Sequence, residues 1–176
     1  MGKQYASLTS EDIDFISKQK LFYIASCANN EVNLSPRGFD CVHVLDTNTL
    51  LFLDYPGSGN RTARDIQNDG EITLVFNAFE GSPRIVRLFC KGELIEKYDF
   101  EFEKYFEYFH EKKEYIRRIV RLNIYAVESS CGMGVPKMQF QKERSGLKKW
   151  IKIQSEEGTL KQYMKLHQIP PNLHDI

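Results

Sequence analysis

A short polar stretch, residues 32–38, carries side chains suited to binding an anion. Its strict alternation predicts a strand with Val32 and Leu34 on one face and polar side chains on the other. The polar face holds Asn33, Ser35 and Arg37. Because a hydroxyl and a guanidinium at one strand end supply neutral and charged donors together, the stretch suits a phosphate group.

A second anion site is predicted where a strand runs through the Gly-Ser-Gly loop of residues 57–59 into a helix that begins near Asn60. The backbone amides and dipole of a helix start attract anions, and Arg61 and Thr62 add side-chain donors. The segment is not a P-loop, since the Gly-Lys-Ser/Thr ending is absent. A flexible loop capped by Asn60 is the structural alternative.

A third segment, residues 129–136, follows a strand and is rich in glycine. Glycine lets a backbone approach another surface closely, either a cofactor or a partner chain. Cys131 within it could be a nucleophile, but no histidine lies near it in sequence to act as its base. The four histidines lack metal-ligand spacing, so we identify no catalytic residue and predict no metal site.

The elements that must position these residues are predicted as hairpins joined by helices. The predicted strands comprise residues 21–27 with 32–35, 41–45 with 49–53, 71–79 with 84–96, and 121–128. Asn29 and Asn30 tolerate the positive φ of the first hairpin turn. The first predicted helix begins at Thr9 or Ser10. Further helices are predicted over residues 60–68, 100–118 and 147–167, the last of them broken near Gly158. So many short strands at hairpin spacing predict a small antiparallel barrel.

Composition limits the classes of function. The chain has 176 residues, 41% of them hydrophobic, and 24 Lys+Arg balance 24 Asp+Glu. A neutral chain lacks the positive field that bulk nucleic-acid binding or a polybasic membrane anchor needs. We expect neither a signal peptide nor a spanning helix, and the four cysteines form no CxxC pair. These features predict a reduced, cytoplasmic protein that binds neither nucleic acid nor membrane.

Four motifs in register resemble a known family. They are residues 33–38, 57–63, 78–81 and 130–136. The sequence resembles the pyridoxamine 5′-phosphate oxidase-like proteins of the FMN-binding split-barrel superfamily. The resemblance implies a mainly β fold with flanking helices, built on a six-stranded antiparallel split β-barrel. It implies one domain over residues 1–176, with 145–176 as a C-terminal helical extension, and a homodimer with FMN in two clefts between subunits.

The resemblance also implies which residues bind the cofactor. They are Val32, Asn33, Leu34, Ser35, Arg37, Asp54, Asn60, Arg61, Thr62, Cys131 and Gly132. By position, residues 32–35 run beside the flavin ring and ribityl chain, and Arg37 reaches the phosphate. Asp54 closes the cleft, and Asn60 supports the phosphate contacts of Arg61 and Thr62. Cys131 and Gly132 match the segment that the partner subunit lays against the flavin.

Two departures from the family pattern bear on the reaction. True pyridoxamine 5′-phosphate oxidases carry an Arg-x-His segment near the C-terminus that residues 135–146 lack, and a lysine where this chain has Thr62. These departures argue against oxidation of pyridoxamine 5′-phosphate. The implied function is an FMN-dependent oxidoreductase of unknown small-molecule substrate, with NADH or NADPH as candidate electron donors. Four alternatives stay open: a flavin carrier or sensor without turnover, haem binding through His167 or His174, a deazaflavin cofactor, and a barrel that has lost its cofactor.

Overall fold

The fold is built from eight strands and five α-helices. A computed structural model describes residues 2–57 and 60–170, and every structural statement below refers to those residues. The strands are β1 Lys3–Tyr5, β2 Phe22–Ala28, β3 Glu31–Arg37, β4 Val42–Asp46, β5 Thr49–Asp54, β6 Glu71–Asn77, β7 Ile85–Ile95 and β8 Arg118–Ser130. The helices are α1 Ser10–Lys18, α2 Arg61–Gln67, α3 Phe102–Phe106, α4 Gly146–Glu156 and α5 Leu160–Leu166, with a 3₁₀ turn at Lys113–Tyr115.

All eight strands belong to one antiparallel sheet. Its order is β3-β2-β6-β7-β8-β5-β4, with β1 paired to the end of β8. The sheet is open between β3 and β4, as in a split barrel. The predicted class, a mainly antiparallel β fold with flanking helices, is confirmed, and the structure has eight strands where six were expected.

The three predicted hairpins are present, and local chemistry explains the first of them. Asn29 and Asn30 form the two-residue turn between β2 and β3, with φ angles of 52° and 62°. Asparagine adopts this left-handed conformation more readily than most residues, so the pair pins the register of the hairpin. That register sets which side chains of β3 face inward.

The helix predicted over residues 100–118 is wrong beyond its first turn. Only α3 and the 3₁₀ turn are helical there, and β8 already begins at Arg118. The aromatic side chains Phe102, Tyr105 and Phe109 are buried in the core, as a core-facing stripe should be. Strand β8 begins earlier than predicted because its first residues are paired: residues 118–123 pair with β5, and residues 119–130 pair with β7. This tertiary pairing overrides the local helical propensity.

The C-terminal helices are tied to the same core. Ile151 of α4 and Leu160 of α5 are buried, and both belong to the hydrophobic cluster that the sheet encloses. The helical pattern predicted for residues 147–167 and its break near Gly158 are therefore confirmed. Burial of these side chains holds the C-terminal segment against the open side of the sheet, beside the loop that precedes α2.

Candidate functional site

The inner face of β3 lines one wall of the candidate site. Val32 and Leu34 point outward and are 73% and 62% exposed, whereas Asn33, Ser35 and Arg37 are half-buried on the opposite face. The predicted alternation is confirmed. The polar face of β3 therefore turns toward α2 and β5, and the outward apolar side chains leave a hydrophobic strip on the edge strand.

The start of α2 brings the second predicted segment to this wall. Asn33 Nδ2 donates to Thr62 Oγ1 at 3.3 Å and to Ser26 Oγ at 3.2 Å, which joins β2, β3 and α2. Close packing of α2 depends on Gly92, where an added Cβ would lie 2.6 Å from the Ile66 side chain. The two segments singled out in the sequence thus meet at one place.

Next to Asn33 lies a compact ionic cluster, which we call the paired end. It consists of Ser26, Glu31, Arg61, Arg64 and Asp65. Glu31 Oε2 accepts hydrogen bonds from Arg61 at 3.2 Å and from Arg64 at 2.5 Å. Asp65 binds Arg64 at 2.8 Å and accepts from the Ser26 hydroxyl at 2.6 Å. Two guanidinium groups are therefore balanced by two carboxylates.

A second cluster, which we call the cationic end, lies where β3 and β5 finish. It consists of Arg37, Asp54, Glu96, Arg117 and Arg118. Arg118 pairs with Glu96 at 3.2 Å, and Arg117 donates to Gly57 O at 2.9 Å. Burial raises the pKa of Asp54, while the charges of Arg117, Arg37 and Arg118 oppose that rise.

Arg37 shows why the cationic end suits an anion. Its guanidinium stands over the Phe52 ring at 5.6 Å, and its Nε is buried without a hydrogen-bond partner in the described chain. The Nε atoms of Arg118 and Arg121 are buried in the same way, but these two side chains pair with carboxylates, whereas Arg37 has no ion pair among the described residues. A buried charged donor without a partner is costly, and an anionic ligand group would satisfy it. The residues present therefore fit the phosphate of a bound nucleotide cofactor.

Asn60 occupies the loop before α2 but is used differently from the prediction. It is 6% exposed, its Nδ2 donates to Gln168 O at 2.6 Å, and its Oδ1 is buried without a partner in the described part of the chain. The remaining acceptor suits a hydroxyl or N–H group better than a phosphate oxygen. Ser58 and Gly59, which belong to the predicted Gly-Ser-Gly loop, lie outside the described residues.

Cys131 and Gly132 lie elsewhere in the chain. Cys131 is exposed and free, and Gly132 has a φ of 65°. A Cβ added at Gly132 would lie 2.8 Å from the backbone nitrogen of Arg84, which precedes β7. Strands β2 and β6 separate this position from β3 in the sheet order. A single chain therefore does not bring this segment to Asn33 and Thr62.

A cavity of about 1020 Å³ opens beyond the end of β3. Its lining combines aromatic and charged side chains, among them Phe15, Phe39, Phe79, Arg84, Phe140 and Lys142. The extended chain after Gly132 forms one wall, because Phe140 N donates to Glu80 Oε1 at 2.9 Å and Met138 N to Phe79 O at 3.0 Å. The cavity is large enough for a small-molecule substrate.

The remaining candidates are structural. Burial raises the pKa of Cys41 and of Cys90 to about 12, so neither thiol is a ready nucleophile. His43 stacks on Tyr108 with ring centroids 4.4 Å apart, and burial lowers its pKa. Within residues 2–57 and 60–170, no cluster of three or more potential ligand side chains could hold a metal ion. No helix in the described ranges is long and apolar enough to span a bilayer.

Several members of this site were missed from the sequence. Glu31, Arg64, Asp65 and Arg117 were not singled out, although the spacing of Arg61 and Arg64 places both on one face of a helix. An ion pair that joins a strand to a helix distant in sequence produces no recognisable pattern in the local sequence. Gln168 contributes only a backbone oxygen, which no side-chain pattern could reveal.

An open antiparallel sheet with flanking helices and a polar inner face on its edge strand β3 defines a protein of the split-barrel class. The family model for pyridoxamine 5′-phosphate oxidase matches residues 8–162. The chain therefore belongs to the pyridoxamine 5′-phosphate oxidase family.

The relatives agree with this assignment. The chain is 34% identical over 137 residues to the pyridoxamine 5′-phosphate oxidase family protein ustO of Aspergillus flavus, and the match covers 75% of this chain but 55% of that one. The chain thus spans about half the length of this curated relative. Group A Streptococcus HupZ is similar in structure, with a TM-score of 0.55, 17% identity, and coverage of 68% of this chain and 91% of HupZ. An FAD-binding protein from Mycobacterium smegmatis has a TM-score of 0.51 at 12% identity, covering 72% and 97%.

Proposed function

We propose that this protein binds FMN in the cleft along β3 and acts as an FMN-dependent oxidoreductase on a small molecule. The observation that carries the proposal is Arg37, whose Nε is buried without a hydrogen bond and whose guanidinium has no ion pair among the described residues. Membership of the pyridoxamine 5′-phosphate oxidase family and the flavin named for the Mycobacterium smegmatis neighbour support a flavin as the ligand. A phosphate is the part of that ligand which would pair with the Arg37 guanidinium.

Different residues of the cleft would contact different parts of the cofactor. Residues 32–35 would run along the ring and the ribityl chain, and Asp54 would close the cleft. Arg37 and Thr62 would hold the phosphate together with Arg61, whose charge Glu31 already shares. The buried Asn60 Oδ1 would accept from a ribityl hydroxyl. A bound flavin supplies hydride and electron transfer, and the protein orients it and excludes water.

A homodimer would complete the cleft. Exposed apolar side chains occur on the outer face of β3 and on the extended chain after β8. They are Val32, Leu34, Met133, Met138 and Phe140. Apolar side chains grouped in this way favour a protein interface. In the dimer, Cys131 and Gly132 of one protomer would lie against the flavin of its partner, and the 1020 Å³ cavity would admit substrate. We place this dimer in the cytoplasm, with NADH or NADPH as electron donor.

The first test is an absorbance spectrum of the purified protein, before and after addition of FMN and desalting. Two broad bands of oxidised flavin, bleached by NADH or NADPH, are expected. Flavin bands that neither nicotinamide bleaches would favour the carrier alternative. A single intense Soret band would favour haem instead, and the absence of any chromophore after FMN addition would contradict flavin binding.

Titration with FMN and with riboflavin then locates the phosphate. Arg37→Gln should weaken FMN binding by about 10- to 100-fold, the usual effect of losing a hydrogen bond to a charged group, and should leave riboflavin affinity unchanged. Arg121→Gln is the matched control, because Arg121 pairs with Glu93 and Glu101 away from the cleft. An equal loss for both flavins would contradict a phosphate contact by Arg37.

A further inference from the structure

Phe39 has a backbone conformation that phenylalanine rarely adopts. It lies in the short connection between β3 and β4, the two edge strands on either side of the opening in the sheet. Its φ is 67°, in the left-handed region, where a bulky side chain is strained. Such strain persists only where the surrounding structure enforces it, and it is concentrated at functional sites. The surroundings of the Phe39 ring must therefore hold it in place.

Two side chains hold the Phe39 ring. Tyr55, just after β5, packs edge-on against it with ring centroids 5.6 Å apart. The Lys148 ammonium of α4 lies 5.3 Å from the centroid of Phe39 and 5.5 Å from that of Tyr55. Lys148 is itself fixed by Glu111 at 2.7 Å, and Glu111 accepts the Tyr55 hydroxyl at 2.8 Å. The ring is thus fixed by residues from two other parts of the chain.

The fixed ring lies between two cavities. One is the cavity of about 1020 Å³ beyond the end of β3, and the other, of about 300 Å³, lies between α1 and β4. Phe39 and Gln19 line both of them, so these two residues separate one cavity from the other. The Gln19 amide is also fixed, because its Nε2 donates to Phe15 O at 2.8 Å. The separation is therefore built from side chains that the fold holds still.

The two cavities suit different chemical groups. The larger one is open to solvent and combines the rings of Phe15, Phe79 and Phe140 with charged side chains. Such rings favour a planar aromatic ligand, which can pack against them by a face or an edge. The smaller one is lined chiefly by aliphatic and aromatic side chains, among them Ile16 and Phe76, which are buried. It suits an aliphatic group, which gains free energy by leaving water.

We propose that Phe39 determines which ligands the larger cavity accepts, by admitting a compact aromatic molecule and keeping an aliphatic tail out of the smaller cavity. The inference rests on one part of the proposed function, the use of the larger cavity by a small molecule, and it requires no contact with the flavin. An aliphatic tail gains affinity in proportion to the apolar surface that it removes from water. The Phe39 ring closes the enclosed space in which a tail would gain most.

The test measures how phenol and para-butylphenol, which differ only in the tail, displace the fluorescent aromatic probe anilinonaphthalene sulfonate from the whole chain. In the wild type, para-butylphenol should bind at most about tenfold more tightly than phenol, because its tail stays in contact with water. In Phe39→Gly the tail can enter the smaller cavity, and the ratio should rise to roughly 100-fold, at about fourfold per buried methylene. Glycine adopts a positive φ without strain, so this substitution removes the ring and keeps the backbone conformation.

Phe79→Ala is the matched control, because Phe79 lines the larger cavity but not the smaller one. It should weaken the binding of both phenols by about three- to tenfold and leave their ratio unchanged. Phe39→Asn provides a second variant if Phe39→Gly does not fold, since asparagine also tolerates a positive φ. Circular dichroism and the thermal midpoint establish that each variant is folded.

The inference is overturned if neither phenol displaces the probe from the wild type, or if the wild type already shows the 100-fold ratio. A folded Phe39→Gly or Phe39→Asn with the wild-type ratio would also overturn it. Unchanged affinities in Phe79→Ala would place both phenols outside the larger cavity, with the same consequence. A wild type that binds the phenols as expected but does not bind FMN would overturn the flavin-dependent function and leave this inference intact.

Discussion

The paired end and the cationic end lie along the same inner face of β3 but differ in how their charges are satisfied. At the paired end, Glu31 and Asp65 each contact guanidinium groups at 2.5–3.2 Å, and Ser26 completes the hydrogen bonding of Asp65. At the cationic end, Arg118 pairs with Glu96, but the Arg37 Nε is buried without a hydrogen bond among the described residues.

This difference separates a structural role from a binding role. A buried charge must be paired, so a cluster whose charges are all paired by folding needs no ligand to satisfy them. A cluster that contains a charged group with a buried, unsatisfied donor is completed only when a ligand of opposite charge binds. The arginine singled out in the phosphate loop, Arg61, belongs to the first kind of cluster. Arg37, at the end of β3, belongs to the second.

The largest expected effect is the loss of stability when the paired end loses a carboxylate. Asp65→Asn removes the fully buried carboxylate that pairs with Arg64 and should lower the free energy of unfolding by about 3 kcal/mol. Asp69→Asn is the control, because the Asp69 side chain is 93% exposed and pairs with Lys91 at the surface, so its loss should stay under about 0.5 kcal/mol. Urea unfolding measures both. Equal losses would show that the paired end does not carry the stability assigned to it.

The expected effect of intermediate size is a change in FMN affinity when the paired end loses a carboxylate. Glu31→Gln removes the carboxylate shared by Arg61 and Arg64, so the local charge rises by one unit. FMN should then bind about tenfold more tightly, from the added attraction for its phosphate, while riboflavin affinity stays the same. Fluorescence titration with the two flavins measures this. FMN affinity that stays unchanged or falls would place the phosphate away from Arg61.

The smallest expected effect concerns Asp54. Its pKa is raised by burial from an ordinary value of 3.8, and the three arginines reduce that rise. The folded protein then keeps a proton on Asp54 at pH values where the unfolded chain has lost it, so protonation favours folding. The stability of the wild type relative to Asp54→Asn should fall as pH rises above 3.8, and level off once Asp54 ionises in the folded state.

Thermal unfolding of both proteins across this pH range measures the difference. Groups that titrate alike in the two proteins, such as His43, cancel in the comparison. A relative stability that rises with pH would mean that the guanidinium groups outweigh burial. Asp54 would then be an ordinary ion-paired carboxylate.

Local patterns were enough to predict much of the fold. The alternation of β3, the Asn29-Asn30 turn and the start of α1 after Thr9 each depend on residues within a few positions of one another. Such features are set by side-chain period, backbone φ preference and short hydrogen bonds. The helix predicted over residues 100–118 failed for the opposite reason, because β8 gained its first residues by pairing with β5 and β7.

The sequence by itself therefore determined the strand faces, the turns, the family and the two segments that line the cleft. Only the tertiary structure decided how their charges are used. Arg61 meets Glu31 across 30 residues, Ser26 meets Asp65 across 39, and Asn60 meets Gln168 across 108. Each contact depends on how strands and helices pack, and no periodicity in the chain records it. Packing thus paired Arg61 with Glu31, left Arg37 with an unsatisfied donor, and brought Gln168 to Asn60.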